Sequence, residues 1–452
     1  MSVARDLAEF LAPYRAADLP VQTLDYAAML IASTIASAAM GSTLQSAQII
    51  RDLAVERGGT PEASLWFGKR AKLPAADAAQ VNAVMSDAAA SDDSDLRNIV
   101  HCGTPLTATS LALAERTGAN GAEVLSAIVL GYELAGRIID AIPNVRARGF
   151  HGSTVAIFAA TGAAGRLLRL DVEQMTHAIA LAATSTGGLA KAADTSTARE
   201  YHAGLATVSG IQAARAAQHG YKAEERILEM PLGFFEAFGG EDGAAAGDVA
   251  LRDLGKSWDI VTDMAVKLVP GGHPYHALAE AAANAAREGN IDPEQVESIT
   301  VSRPGMSALT GPLHAADLID MAHSPAYFLA AGAADRDFTW ANATPGKIAD
   351  PRIHRLIDKV RVGPPPIENA ARYRQGATVT IRTTDGREVT NTVFVPKGAG
   401  MLGIDWADID AKYRTLVPLS GLPEQQIEAS LAAIHRFRDV TGASELTGLL
   451  QV

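Results

Sequence analysis

A helical pattern rich in alanine runs almost unbroken from Leu7 to about Gly220 and constrains the fold more than any other feature of this sequence. Strand signals are nearly absent from this part of the chain. After a predicted N-cap at Asn120, apolar residues recur at spacings of three and four, which places them on one buried helix face: Leu125, Ile128, Tyr132, Ala135 and Ile139. Small residues let helix axes approach closely, so we predict a compact multi-helix bundle.

The pattern changes after Lys267, where short runs alternate polar and apolar residues. These runs predict strands at 298–302 and 377–382, with a hairpin turn at Asp385-Gly386 and a further short strand at 360–362. Helical segments lie between them, at 276–287, 325–334 and 351–359. From about Gly398 the helical pattern returns, and Pro423 is predicted in the first turn of a helix.

We therefore predict a mostly α fold with an α+β insertion. A large all-helical domain is built from both chain ends, 1–265 and 399–452, and a smaller α/β domain spans 266–398. The chain has 452 residues, long enough to bury a full hydrophobic core in each part.

Charge and cysteine content exclude several classes of function. The 39 Lys and Arg against 51 Asp and Glu give a net charge of -12, which repels nucleic acid and anionic membrane surfaces, so we expect neither as a partner. The single cysteine, Cys102, cannot form an internal disulfide or hold an iron–sulfur cluster. No signal peptide is evident in Met1–Pro20, and the apolar stretches fall short of the roughly 20 residues of a spanning helix. We expect a cytoplasmic enzyme.

No cofactor is predicted, because the phosphate-loop, dinucleotide and nucleophile-elbow fingerprints are all missing. Histidines in unusual company are more informative. His151 follows Arg148, which we expect to bind substrate, at the start of an apolar helix where a carboxylate could dock. Arg199, Tyr201 and His202 fall within one hydroxyl-rich segment, 195–204. For each cluster the alternative is an ordinary structural role without a ligand.

A Pro/Gly loop joins Lys267 to His273 and His276, a set of groups suited to acid–base work on an anion. The alternative for this loop is a domain-linking turn. Two sets could ligate a metal instead: His273 and His276 with Glu280, and Asp92, Asp93 and Asp95 with His101. Neither has a strong spacing signature, so we expect no metal.

Taken together, these segments resemble the MmgE/PrpD family over nearly the whole chain. The most specific parts are 148–151 (Arg-Gly-Phe-His), the approach to 202–204 (His-Ala-Gly), 231–234 (Pro-Leu-Gly-Phe), and Lys267 with His276 nine residues later. Further on, 324–327 (Ser-Pro-Ala-Tyr) and 349–351 (Ala-Asp-Pro) are similar to the second domain of the family. The resemblance implies an all-helical domain interrupted by a smaller α/β lid. It also implies metal-free lyase or isomerase chemistry on small polycarboxylates, in a cleft between the two domains of a homodimer.

By position, the resemblance makes His101, His151 and Lys267 active-site residues. We expect Arg199 and Lys267 to hold substrate carboxylates, and His101 or His151 to move the proton, since histidine titrates near neutrality. Asp93 would orient His101. A leaving group or the opposite carbon face would be protonated by one of four residues: Tyr201, His202, His273 or His276.

The expected activity is a lyase, either a dehydratase or a decarboxylase of a di- or tricarboxylate. The related lyases carry Lys where this chain has Arg199, and two alternatives therefore stay open. One is an epimerase or isomerase of a dicarboxylate such as iminodisuccinate. The other is a non-catalytic carboxylate-binding or structural relative.

Overall fold

The computed structural model describes residues 2–240 and 242–451. Helices make up about 59% of the chain, which confirms a mostly α-helical fold with some β structure. In chain order, the α-helices among the described residues are α1 (Val3–Leu11), α2 (Val21–Gly41), α3 (Gln45–Arg57), α4 (Ala75–Ala88), α5 (Gly103–Thr117), α6 (Gly121–Ala141), α7 (Ser153–Leu167), α8 (Val172–Thr184), α9 (Ala190–Thr195), α10 (Ala198–Gln218), α11 (Gly243–Leu251), α12 (Asp259–Thr262), α13 (His276–Glu288), α14 (Leu318–Ala322), α15 (Pro325–Asp335), α16 (Pro345–Ile348), α17 (Pro351–Ile357), α18 (Trp406–Leu416), α19 (Glu424–His435) and α20 (Ser444–Thr447).

The strands form three small sheets. They are β1 (Ala63–Ser64), β2 (Lys72–Leu73), β3 (Asp93–Asp95), β4 (Met264–Val266), β5 (Val296–Ser302), β6 (Val360–Val362), β7 (Ala377–Thr383) and β8 (Glu388–Val393). β1 pairs with β2 and β3 pairs with β4, both antiparallel. The third sheet has the order β6-β5-β7-β8, with β6 parallel to β5 and the other pairs antiparallel.

The chain divides into two compact units, residues 1–266 with 403–452 and residues 267–402. The predicted boundaries differ from these by one residue at the first crossing and by four at the return. The helical unit contains α1–α12 and α18–α20, and the smaller unit contains α13–α17 with the four-stranded sheet.

Glycines allow the central helices of the helical unit to pack closely, as the sequence predicts. A Cβ on Gly131 of α6 would lie 2.7 Å from the carbonyl oxygen of Ala159 in α7, and one on Gly210 of α10 would lie 2.8 Å from that of Ile157. Such distances are far below van der Waals contact, so a side chain at either position would force the helices apart. The Asn120 cap is confirmed, because its side chain accepts from the Glu123 N–H at the start of α6.

Helix α2 is longer than its apolar run of sequence indicates. With 21 residues, it is the one helix among those described that is long and apolar enough to cross a membrane, and 89% of its apolar window is buried inside the structure. It packs on α4 and α18, as a core helix does. Pro423 differs slightly from the prediction, since it is the N-cap of α19 and not a residue of its first turn.

In the smaller unit, α13 packs on β7 and β8, while α15 and α17 contact β6 and β5. Alternate residues of β7 are buried, namely Ala377, Val379, Ile381 and Thr383, so one face of the sheet lies on the core. The predicted strands at 298–302, 360–362 and 377–382 all lie within observed strands. The predicted hairpin is also present, with Gly386 in the left-handed region at φ +87°.

Candidate functional site

His101 lies just before α5 and is held through one ring nitrogen. Its Nδ1 is 3.0 Å from Oδ2 of Asp92 and 2.6 Å from the backbone carbonyl oxygen of Asp93. The Asp93 carbonyl oxygen can only accept a hydrogen bond, and the same is true of the Asp92 carboxylate when it is ionised. Nδ1 therefore carries the proton. When the ring is neutral, its basic lone pair is therefore on Nε2, which is the tautomer that a general base requires.

The carboxylate that orients His101 belongs to Asp92. The sequence predicts Asp93 in this role, and that prediction is wrong. The Asp93 carboxylate accepts from the Gly103 N–H at 2.9 Å and lies 3.4 Å from the Tyr132 hydroxyl. The cause is β3, in which successive side chains point to opposite faces. The Ser94 Oγ lies 3.4 Å from the His101 Nδ1, on the same side as the Asp92 carboxylate, while the Asp93 side chain points into the core.

His151 sits in the opposite electrostatic environment. It is 6% exposed, and its Nδ1 accepts from the Ser153 N–H at 3.4 Å, so the neutral ring carries its proton on Nε2. The pKa of His151 is well below its ordinary value, first because burial disfavours the charged form and then because of nearby positive charge. The contributing groups are His101, His202, Arg199 and Arg146. A ring that stays neutral is suited to donate a hydrogen bond from Nε2.

His202 packs against His151, with ring centroids 5.4 Å apart. Burial lowers the pKa of His202, and Asp87 partly opposes that effect. A Cβ on Gly188 would lie 3.1 Å from the His202 Nδ1 and 2.6 Å from the Ser153 Oγ, and Gly188 has φ +132°. Only glycine suits this backbone and this close approach to the imidazole.

A cavity of about 330 Å³ opens beside His202, a size that suits a small molecule. Hydroxyl groups line much of it, including those of Ser153, Ser185, Thr186, Tyr201 and Ser209. Tyr201 is 48% exposed and belongs to this cavity wall. Ser153 connects the cavity to His151, because its Oγ lies 3.2 Å from the His151 Nδ1.

Arg199 is engaged by protein groups, which differs from its predicted role of holding a substrate carboxylate. Its Nε is 2.9 Å from the Asp87 carboxylate, and its Nη2 donates to the carbonyl oxygen of Ala88 at 3.1 Å. Arg199 therefore acts first on Asp87. Its charge also contributes to the low pKa of His151.

Three possible metal ligands converge in this cluster. Single ligand atoms of Asp87, Asp92 and His101 lie within 4.8 Å of one another. The set fits a cation poorly, because the Arg199 guanidinium already neutralises Asp87 and the His101 Nδ1 is protonated toward Asp92.

Arg148 lies away from this cluster, although it is only three residues from His151. Its side chain is exposed, and its Nη2 donates to the Ala237 carbonyl oxygen at 3.0 Å. Gly149 separates the two residues with φ +94°, a left-handed turn that sends the arginine and the histidine in different directions.

The remaining predicted residues belong to the smaller unit and are all buried. Lys267 directly follows β4 and is 1% exposed, while His273 and His276 are 0% and 4% exposed. The rings of His273 and His276 are close together, with centroids 4.5 Å apart. The His276 ring also stacks on Phe328, with centroids 6.0 Å apart. Glu280, considered above as a metal ligand with them, accepts from the Lys397 N–H at 3.2 Å.

Sequence reasoning missed Asp87 and Gly188, and it placed Asp92 in a cluster that could bind a metal, cap a helix or hold a histidine, but named Asp93 as the residue that orients His101. Asp87 is in the last turn of α4 within an alanine-rich run, where one carboxylate gives no signal. The Gly187-Gly188 pair between α8 and α9 was the available hint, since adjacent glycines mark unusual backbone.

Comparison with known proteins gives one consistent result. The family model for the MmgE/PrpD N-terminal domain matches residues 5–246, and that for the C-terminal domain matches residues 270–435. Human cis-aconitate decarboxylase is 23% identical over 434 residues, covering 93% of this chain and 89% of the relative. The mouse protein of the same name is 25% identical, covering 86% and 81%. Cis-aconitate decarboxylase of Aspergillus terreus is 26% identical, covering 95% and 92%.

Proposed function

The chain belongs to the MmgE/PrpD family, and we propose that it is a lyase that acts on a small tricarboxylate by general acid–base chemistry. The first substrate to consider is cis-aconitate, because the relatives described above are named cis-aconitate decarboxylases. The observation that carries the proposal is the pairing of His101 and His151 in one cluster with opposite surroundings, a carboxylate at His101 and positive groups at His151. At one pH, such a pair supplies a ring that can carry and donate a proton and a neutral ring that can donate a hydrogen bond.

For a decarboxylation, the departing carbon dioxide leaves its bonding electron pair on the substrate, and one proton must be added to carbon. We propose that the His101 imidazolium, held by Asp92 at Nδ1, gives that proton from Nε2 and regains one from solvent, while the neutral His151 donates a hydrogen bond from Nε2 to the substrate. Charge develops on the remaining carboxylates, and fixed cations in a buried site stabilise it best. We propose that the buried Lys267 is such a cation; the residue before it, Val266, pairs with Asp93 of β3.

The test is turnover in deuterium oxide, followed by NMR, with cis-aconitate, hydroxytricarboxylates and dicarboxylates as substrates. A decarboxylase gives a shortened acid with one deuterium, and a dehydratase gives an alkene. Labelled product of unchanged constitution would show the epimerase alternative. Thermal stabilisation by these acids without turnover would show a non-catalytic relative and contradict the proposal.

We propose that the reaction needs no metal, because Arg199 already neutralises the one converging set of ligands found among the described residues. Full activity should survive treatment with EDTA. Inhibition by EDTA that one added metal reverses would overturn this part of the proposal.

We also propose that Lys267 binds a substrate carboxylate and that His273 and His276 assist in proton transfer. Lys267→Ala should lower kcat/KM by at least about 100-fold with little change in fold, because a transition-state charge loses its counterion. His219→Ala, an exposed histidine at the end of α10, is the matched control. An equal loss in that control would remove the special status of Lys267.

We further propose a cytoplasmic homodimer. Two neighbouring helices joined by the Ser46–Glu200 hydrogen bond of 2.7 Å expose apolar residues one turn apart, Ile49 and Leu53 on α3 and Tyr201 and Leu205 on α10. A patch of this kind suits an isologous contact with a second copy. A monomer mass by light scattering at micromolar concentration would reject the dimer.

A further inference from the structure

Two histidines far apart in the sequence meet on the surface of the smaller unit. His314 lies in the segment between β5 and α14, and His354 lies in α17. Their Nδ1 atoms are 2.8 Å apart, and their rings are nearly parallel, at 7°, with centroids separated by 5.0 Å. The His314 side chain is 45% exposed, so solvent reaches the pair.

The outer nitrogens of both rings face oxygen acceptors. The His314 Nε2 is 3.0 Å from Oδ1 of Asp358, and the His354 Nε2 is 2.8 Å from the carbonyl oxygen of Ile348. A carboxylate and a carbonyl oxygen only accept, so each Nε2 carries a proton. The two Nδ1 atoms consequently face one another and can share one added proton. Without that proton the pair is neutral, and each Nδ1 presents a lone pair to the space between the rings.

This is the arrangement of histidines that bind a metal. Metal-bound imidazoles donate their second N–H to a carboxylate or a backbone carbonyl, which fixes the tautomer, and both rings do so here. Two nitrogens at about 2.0 Å from one ion and about 90° apart are separated by about 2.8 Å, a geometry common for Ni²⁺ and Cu²⁺.

We propose that His314 and His354 bind one divalent transition-metal ion that prefers imidazole, such as Ni²⁺ or Cu²⁺, through their Nδ1 atoms. Water completes the coordination, and Asp358 supplies negative charge through the His314 ring. The ion replaces the shared proton and links the segment before α14 to α17. This site shares no residue with the His101 cluster and does not depend on the proposed lyase activity.

His435 provides the matched control, because it is also a surface histidine beside a carboxylate. Its Nε2 is 2.9 Å from Oδ1 of Asp410, and its ring packs on Trp406 with centroids 4.0 Å apart. It therefore presents one imidazole where the proposed site presents two.

The test is isothermal titration of the metal-stripped full chain with Ni²⁺. Wild type should bind one more equivalent than His314→Ala or His354→Ala, and His435→Ala should match wild type. Asp358→Ala should keep the equivalent with about tenfold weaker affinity. The Asp87, Asp92 and His101 cluster is intact in every variant, so any binding there cancels in the comparison.

A second measurement reports the ligands directly. Electron paramagnetic resonance of the chain with one equivalent of Cu²⁺ should show coupling to two imidazole nitrogens, and His314→Ala should lose one of them. Unchanged stoichiometry and affinity for Ni²⁺ in His314→Ala and His354→Ala, or a Cu²⁺ spectrum unaffected by either substitution, would overturn the proposal. Circular dichroism of each variant separates loss of a ligand from loss of the fold.

Discussion

The surroundings of His101 and His151 differ in charge although both rings belong to one cluster. His101 is held by the Asp92 carboxylate and a backbone carbonyl, whereas His151 is buried and surrounded by positive groups. Negative surroundings favour the imidazolium and positive surroundings disfavour it. The two histidines thus become different reagents, and the assignment of His101 as proton donor and of the neutral His151 as hydrogen-bond donor rests on this contrast.

The largest expected effect comes from removing either ring. His101→Ala and His151→Ala should each lower kcat/KM by at least about 100-fold, as expected for groups that transfer a proton or stabilise charge in the transition state. His177→Ala and His219→Ala are controls on α8 and at the end of α10. If one of the two site variants keeps wild-type kinetics, the two rings do not work as a pair.

The adjacent glycines Gly187 and Gly188 test how closely the residues around His151 and His202 are packed. Gly188→Ala should destabilise the protein by about 2 kcal/mol and slow turnover, because the new Cβ meets the Ser153 Oγ and the His202 Nδ1 at a left-handed φ. Gly187→Ala has open space around its Cβ and should cost well under 1 kcal/mol. Thermal unfolding and kcat of both variants give the comparison, and equal losses would contradict it.

The successive carboxylates of Asp92, just before β3, and Asp93, its first residue, test which of the two orients His101. Asp92→Asn should lower kcat by at least about tenfold, since the hydrogen bond that fixes the His101 tautomer loses its charge. Asp93→Asn should cost less, because an amide oxygen can still accept from the Gly103 N–H. The reverse order of the two effects would restore Asp93 as the orienting residue.

The smallest effect is a change in how stability depends on pH. The folded pKa of His151 is lowered, so below its ordinary value of about 6.5 the unfolded chain binds a proton that the folded chain does not. Stability should therefore fall as pH falls from about 6.5 toward the folded pKa, by up to about 1.4 kcal/mol per pH unit from this residue. Denaturant unfolding of His151→Gln between pH 7.5 and 5 should show a shallower decline than wild type. Parallel curves would mean that His151 titrates normally.

The sequence predicts helices and the sheet of the smaller unit well, because their signals are local. Asn120 caps α6 and the alternation at 377–382 becomes β7, each from residues close together in the chain. The strand β3 was missed, since its residues, Asp-Ser-Asp, have low strand propensity and its partner β4 lies about 170 residues away. Missing that strand caused the choice of Asp93 over Asp92.

The candidate site follows the same division. His151 and His202 were predicted from local sequence and His101 from the family resemblance, and the structure brings the three rings into one cluster. The roles assigned to Arg199 and Arg148 depended on long-range partners, Asp87 and Ala237, which no local pattern shows. The His314–His354 contact joins residues 40 apart in the sequence, so no local pattern shows it either.

The opposite tautomers of His101 and His151 can be measured directly by NMR of the chain labelled with ¹⁵N-histidine, with single histidine variants for assignment. At pH 6, the account predicts that His151 is neutral with its proton on Nε2, and that His101 keeps a proton on Nδ1 throughout the titration from pH 5 to 8. A His151 ring that is protonated at pH 6, or one that carries its neutral-state proton on Nδ1, would contradict the assignment of His151 as the neutral hydrogen-bond donor and of His101 as the proton donor.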